Sequence, residues 1–262
     1  MHRSKAPLLH LVIYSDHKSH DTQRRDGLSA DATTPAMLGL MQDTSSSRTP
    51  EKPVGKAPLL WRNTLPHRRM LAALVNQLDH ALLVTESATR TLEDWSRHHA
   101  LATNPAIRAE RNPDAARPCP PHLRDHLNVS PTEAHRLLRY RHVRLMCGAN
   151  VLSQADNWYR ANLLPASMNR DLETTDIPFG RIAAQLGFTR HAIATEPLWT
   201  PLPDGWKPPH TPENNEALLE IPPLLFRHQA VLRQMDGTPF SAVIETYTAD
   251  LLRFVPPDCN AD

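Results

Sequence analysis

The C-terminal half of the chain is written in alternation. In PFSAVIETYTADLL, residues 239–252, every second side chain falls on one face, so that Val243, Glu245 and Tyr247 point the same way. Comparable runs predict strands near 101–110, 139–146, 151–160, 190–198, 225–235 and 239–249. Asp236-Gly237 between two alternating runs is a strong hairpin signal, and MCGANV at 146–151 supplies another turn, so the strands these join are expected to be antiparallel. Upstream the period changes to that of a helix. Leu71, Leu74, Val75, Leu78 and Leu82 form one apolar stripe, and a second helical stretch at 87–99 places Leu92 and Trp95 on one side. NVSPTEAHRLL carries a capping box, with Ser130 as N-cap, Pro131 at the first helical position and Glu133 three residues after the cap. Hairpin-joined strands with helices bunched early and midway predict an α+β fold: a single antiparallel sheet of about six strands with helices packed on one face.

Composition narrows the partners. Twenty-nine Lys and Arg against 28 Asp and Glu leave a net charge of +1, so a general nucleic-acid surface is not expected and a small molecule is. The 25 prolines gather at joints and near the N-terminus. Cys119, Cys147 and Cys259 lack CxxC spacing, which suits a reducing compartment better than a disulfide framework or a zinc site. The apolar run in APLLHLVIYS, residues 6–15, is short, interrupted by His10 and followed by no small-residue cleavage site. A cytoplasmic location is expected, with no membrane span. Residues 16–57 are rich in Ser, Asp, Thr, His and Pro, too polar to bury a core. The expected organisation is a poorly ordered extension over 1–58, a domain over 59–256 and a tail over 257–262.

Two strands break their own pattern. Glu245 shares its face with Val243 and Tyr247; in YRHVRLM, Arg141 shares its face with Val143 and Leu145, while His142 and Arg144 point the other way. An unpaired charge on a buried face costs several kcal/mol or more. Either the two charges form a structural ion pair, or they face a closed pocket in which Arg141 clasps an anion and Glu245 handles a proton. ETTDIPFGRIAAQLG reads as a helix start capped by Asp176, with Pro178 in its first turn and Gly187 closing its end. The N–H groups of Phe179, Gly180 and Arg181 would then form a carboxylate site, and Gly180 would admit a ligand close to the backbone. The 15 histidines show no HExxH motif or Cys/His spacing, and Ser153, Ser167 and Ser241 lack a G-x-S-x-G context, so neither metal nor serine hydrolase chemistry is indicated. Trp158, Tyr159 and Trp199 read as core or pocket wall.

Taken in order, RYRHVRL, ADNWY, DIPFGR and RHQAVLRQMDGTPFSAVIETYT resemble the chorismate lyase (chorismate pyruvate-lyase) family, over roughly residues 65–254. Its wider superfamily includes the UTRA effector-binding domains of GntR-type regulators. The resemblance implies that Arg141 binds the ring carboxylate, that Phe179 offers its backbone N–H to the same carboxylate, and that Glu245 meets the oxygen at the far end of the ring as acid/base. Ala88 would fall near a ligand contact in the flap over the site. The implied reaction is elimination of pyruvate from chorismate to give 4-hydroxybenzoate, a step of ubiquinone biosynthesis, without a cofactor. The first 60 or so residues, a long insertion at 203–223 and the small Ala88 depart from the family pattern. A non-catalytic aromatic-acid sensor on the same fold is the alternative. The polar N-terminal segment is too short for the winged helix of a complete regulator.

Overall fold

The computed structural model describes residues 56–207 and 217–257. The predicted N-terminal extension up to residue 55, residues 208–216 of the expected insertion and the last five residues lie outside that range. In chain order the elements are α1 (Leu65–Val84), α2 (Ala88–His98), β1 (Arg108–Asn112), α3 (Pro121–His126), α4 (Pro131–Leu137), β2 (Leu138–Cys147), β3 (Asn150–Arg160), α5 (Ala166–Thr174), α6 (Phe179–Ala183), β4 (Phe188–Pro197), β5 (Leu224–Gln234) and β6 (Pro239–Thr248). The strands form one six-stranded sheet in the order β1-β2-β3-β6-β5-β4, and every pairing is antiparallel. The predicted α+β architecture is observed.

Both predicted turns fall at glycines with left-handed backbone, Gly148 (φ 57°) and Gly237 (φ 85°), a region costly for a residue bearing a Cβ. Two local expectations change. The strand placed at 101–110 begins only at Arg108, because Pro105 interrupts the run before it. At α4, Ser130 Oγ donates to the Glu133 carboxylate at 2.6 Å instead of accepting from a backbone N–H, so the box closes side chain to side chain.

The apolar stripe of α1 buries Leu71, Val75, Leu78 and Leu82, and α2 adds Leu92 and Trp95 to the same core, which includes Val143, Leu145, Ala155, Val243 and Tyr247 of the sheet. Burying each such leucine is worth about 1.5–3 kcal/mol. Two tryptophans fasten this layer to the 3₁₀ turn that follows β6: Trp61 Nε1 donates to the Leu252 carbonyl at 2.9 Å and Trp95 Nε1 to that of Leu251 at 3.0 Å. The short helix α3 covers part of the opposite face as well, where Leu123, Leu127 and Val129 pack on Trp158, Val231 and Ala242. Trp158 is therefore core on the second face, not pocket wall.

His99 stacks on Phe254 with ring centroids 4.0 Å apart, beside Trp95. Burial, and secondarily the neighbouring His98, lowers its pKa from 6.5 to about 4. Because the unfolded chain takes up this proton more readily than the folded one, stability is full above pH 6.5 and declines as pH falls from there towards 4. Melting temperatures measured across that range for the native protein and for His99→Phe are expected to converge at neutral pH and separate on acidification, the variant losing less. Parallel curves would show that His99 does not carry the effect.

Candidate functional site

Residues that alternate in sequence meet on the helix-covered face of the sheet. Register places Arg141 opposite Asn157 and Asn157 opposite Val243; one pleat further, Val143 lies opposite Ala155 and Ala155 opposite Glu245. These six side chains help enclose a cavity of about 60 Å³. That is four to six times the roughly 10–15 Å³ a single water needs. Leu145, Leu232 and Phe188 complete an apolar wall, while Ala88 and Thr89 of α2 and Phe179 and Gly180 of α6 close the other side. A wider depression of about 440 Å³ shares Glu86, Ser87, Thr89, Gly180 and Phe188 with the cavity and forms its outer approach. There Arg181 of α6 and Glu93 of α2 form an ion pair.

All five residues singled out from the sequence, Ala88, Arg141, Phe179, Gly180 and Glu245, line this cavity. Their bonding differs from the expectation. Arg141 and Glu245 are both buried but do not pair with each other. Glu245 Oε2 accepts from Arg190 Nη2 at 2.8 Å and from the Tyr247 hydroxyl at 3.3 Å. The isolated carboxyl in an apolar hollow is thus half of an ion pair. Arg190 also donates to the Leu82 carbonyl at 3.1 Å, tying the end of α1 to β4. The beside-lying Glu245, together with burial, pushes the Tyr247 phenol well above its ordinary range, burial being the larger cause.

Arg141 donates through Nε to the Leu172 carbonyl and through Nη2 to the Ile177 carbonyl, both at 3.1 Å. These bonds hold the guanidinium but leave its charge uncompensated, and among the described residues no carboxylate pairs with it. Burial, reinforced by the nearby Arg111, brings its pKa down to about 10, so it stays cationic at neutral pH.

The helix-start expectation is corrected in part. Pro178, not Asp176, occupies the N-cap, and the Asp176 carbonyl instead accepts from the Ala109 N–H at 2.5 Å, drawing this segment onto β1. Arg181 N–H already donates to the Pro178 carbonyl at 3.0 Å. With only five residues in α6, a macrodipole contributes little, and the cationic character of this end of the cavity comes from Arg141. A Cβ built on Gly180 meets no heavy atom within 4 Å, so nothing among the described residues demands glycine there.

Three polar participants went unrecognised in the sequence. Arg190 is in phase with Phe188, and Asn157 is in phase with Ala155 and Tyr159, the same off-pattern signal that marked Arg141. The third is His228, fully buried opposite Glu245, whose Nε2 lies 2.6 Å from Asp79 Oδ1 of α1. Its strand partner could be read only from the register. Among the described residues no group of three or more His, Cys, Asp or Glu side chains is arranged to hold a metal, and no helix is long and apolar enough to cross a membrane.

The chain is 43% identical over 199 residues to the uncharacterized protein y4mC of Sinorhizobium fredii (strain NBRC 101917 / NGR234), an alignment covering 75% of this chain and 83% of that protein. It belongs to the same family as y4mC. No family model matches the sequence. Among solved structures it is similar to PhnF from Mycobacterium smegmatis, with 12% identity, a TM-score of 0.39 and coverage of 66% of this chain and 67% of that one. It is also similar to a GntR-family transcriptional regulator from Bacillus cereus, with 12% identity, a TM-score of 0.35 and coverage of 58% and 98%. A third is YydK from Bacillus subtilis, with 12% identity, a TM-score of 0.34 and coverage of 59% of this chain and 63% of that chain. None of these similarities bears on which residues line the cavity.

Removing one partner of the Arg190–Glu245 pair strands the other charge, since the two side chains are only 4% and 10% exposed. Glu245→Gln and Arg190→Met are each expected to lower stability by about 3–5 kcal/mol in denaturant titrations, with the double substitution costing less than the sum. Additive losses would mean that the pair is not coupled.

Proposed function

We propose that this chain binds a small aromatic carboxylate in the cavity between the sheet and helices α2 and α6. The observation that carries this reading is Arg141: a buried cation, held in place by two carbonyls, with no carboxylate in an ion pair with it among the described residues and a cavity in front of it. An anionic ligand supplies the missing charge through charge-assisted hydrogen bonds. The apolar wall suits the faces of a ring. Glu245 lies two strands across and two residues along from the Arg141 row, roughly 12 Å away at the backbone by strand spacing and rise. That separation suits a para-substituted ring, acid at one end and hydroxyl at the other, the hydroxyl donating to the carboxylate that Arg190 steadies. The simplest activity on this geometry is recognition without conversion.

A second reading is favoured by one observation, the presence of the Glu245 carboxylate in the same cavity as Arg141. On chorismate, Glu245 would take the proton lost from the ring as the enolpyruvyl group leaves, the leaving group would be protonated to pyruvate, and the ring would become aromatic 4-hydroxybenzoate. A placed acid/base contributes on the order of 10²–10⁴ in rate. Glu245 and Arg141 would be its catalytic residues, with Phe179, Gly180 and Ala88 as walls of the substrate site.

Calorimetric titration with 4-hydroxybenzoate is expected to show one site per chain, with affinity reduced about 100-fold in Arg141→Ala, the order expected from losing hydrogen bonds to a charged group. Incubation with chorismate separates the two readings. Stoichiometric 4-hydroxybenzoate and pyruvate would establish the lyase, and binding without product the non-catalytic role. Absence of both binding and turnover in the folded protein would refute both.

A further inference from the structure

We infer that Asn157 is the second recognition group of the cavity and makes it select a carboxylate over a carboxamide. This rests on the reading that the cavity takes a small aromatic acid. Asn157 sits on β3 directly opposite Arg141 of β2, is 5% exposed and lines the cavity. Its orientation is set from below: Ser241 Oγ, on the neighbouring β6 and fully buried, donates to Asn157 Oδ1 at 3.1 Å. Nothing among the described residues accepts from Asn157 Nδ2. Its two N–H donors are thus unused on a residue that lines the cavity, and a ligand acceptor there would satisfy them.

The neighbour across the strand is in the same condition. Arg141 uses Nε and Nη2 on the Leu172 and Ile177 carbonyls, and among the described residues no group accepts from Nη1. This end of the cavity therefore offers a guanidinium and a neutral amide nitrogen side by side, both donors. Two acceptor oxygens on one carbon satisfy that pair. A carboxamide brings one oxygen and one NH₂, and whichever way it turns, its NH₂ faces a donor. Arg141 supplies attraction to the anion, whereas Asn157 makes both positions require an acceptor. Ser241 matters because an asparagine amide free to rotate by half a turn would present Oδ1 and accept the carboxamide equally well.

A purely structural Asn157, serving only to link β3 to β6 through Ser241, would affect every ligand alike. The discriminating quantity is thus a ratio of affinities. The experiment compares 4-hydroxybenzoate with 4-hydroxybenzamide by calorimetry at neutral pH on the full chain, in the native protein, Asn157→Asp and Ser241→Ala. The native protein is expected to prefer the acid at least about tenfold. Asn157→Asp, which puts an acceptor and a negative charge in place of the donor, is expected to lower that ratio by at least about tenfold, and Ser241→Ala by a smaller factor. A ratio unmoved in both variants, or equal affinity for the two ligands in the native protein, overturns the assignment of Asn157 while leaving an aromatic-acid site standing. Failure of the native protein to bind the acid at all overturns the aromatic-acid reading and this inference with it. Should Asn157→Asp not fold, the ratio in Ser241→Ala decides alone.

Discussion

A guanidinium buried beside an apolar cavity, with no carboxylate among the described residues to neutralise it, is costly to maintain, and the surroundings of Arg141 are arranged around that cost. Placing a charge in a poorly solvated site is unfavourable by several kcal/mol unless hydrogen bonds or an opposite charge offset it. Here the offset is partial: two backbone carbonyls, from the end of α5 and the segment before α6, accept from the side chain. Those carbonyls fix the guanidinium without neutralising it. A buried ion pair built for stability would have placed its acid there. The acid that the same sheet face does carry, Glu245, is committed to Arg190. On this face Arg141 is thus left without an acid among the described residues, and a ligand anion is the natural complement.

The two ends of the cavity divide the labour between charge and shape. At the Arg141 end the groups presented are donors, and at the Glu245 end a carboxylate is held by Arg190 on one side and touched by the Tyr247 hydroxyl on the other. Between them lie valine, leucine, alanine and phenylalanine. The second face of the sheet has its own polar cluster, where Asp156 accepts from Arg117 Nη1 at 2.5 Å and from the Tyr140 hydroxyl, with His142 Nδ1 at 2.9 Å. Burial first and Asp156 second push the Tyr140 phenol well above its ordinary range, a direction that keeps it a donor. Three partners on one carboxylate make this a closed structural network, in contrast to the incomplete one around Arg141.

Much of this was legible in the sequence because a strand's period of two is unforgiving. Arg141 and Glu245 stood out against Val143 and Val243 without any coordinates, and the hairpin glycine at 237 pinned the register of β5 against β6. What periodicity could not give was pairing across the sheet. Two opposite charges suggested partners for one another, but the sheet order puts Arg190 of β4 on the same side as Glu245, at the edge of the sheet where the strand's exposed pattern hid it. Asn157 escaped notice for a different reason: a neutral amide among aromatic neighbours looks like core until its hydrogen bonds are counted. Asp176 looked like a cap because cap preference is local, whereas its carbonyl is recruited by β1, some seventy positions earlier in the chain.

The most direct measurement is a crystal structure of the full chain with 4-hydroxybenzoate. The ring is expected inside the cavity against Val243 and Phe188, its carboxylate within hydrogen-bonding distance of Arg141 Nη1 and Asn157 Nδ2, and the phenol towards Glu245. A ligand seated elsewhere on the protein, or one whose carboxylate avoids Arg141 altogether, would contradict it.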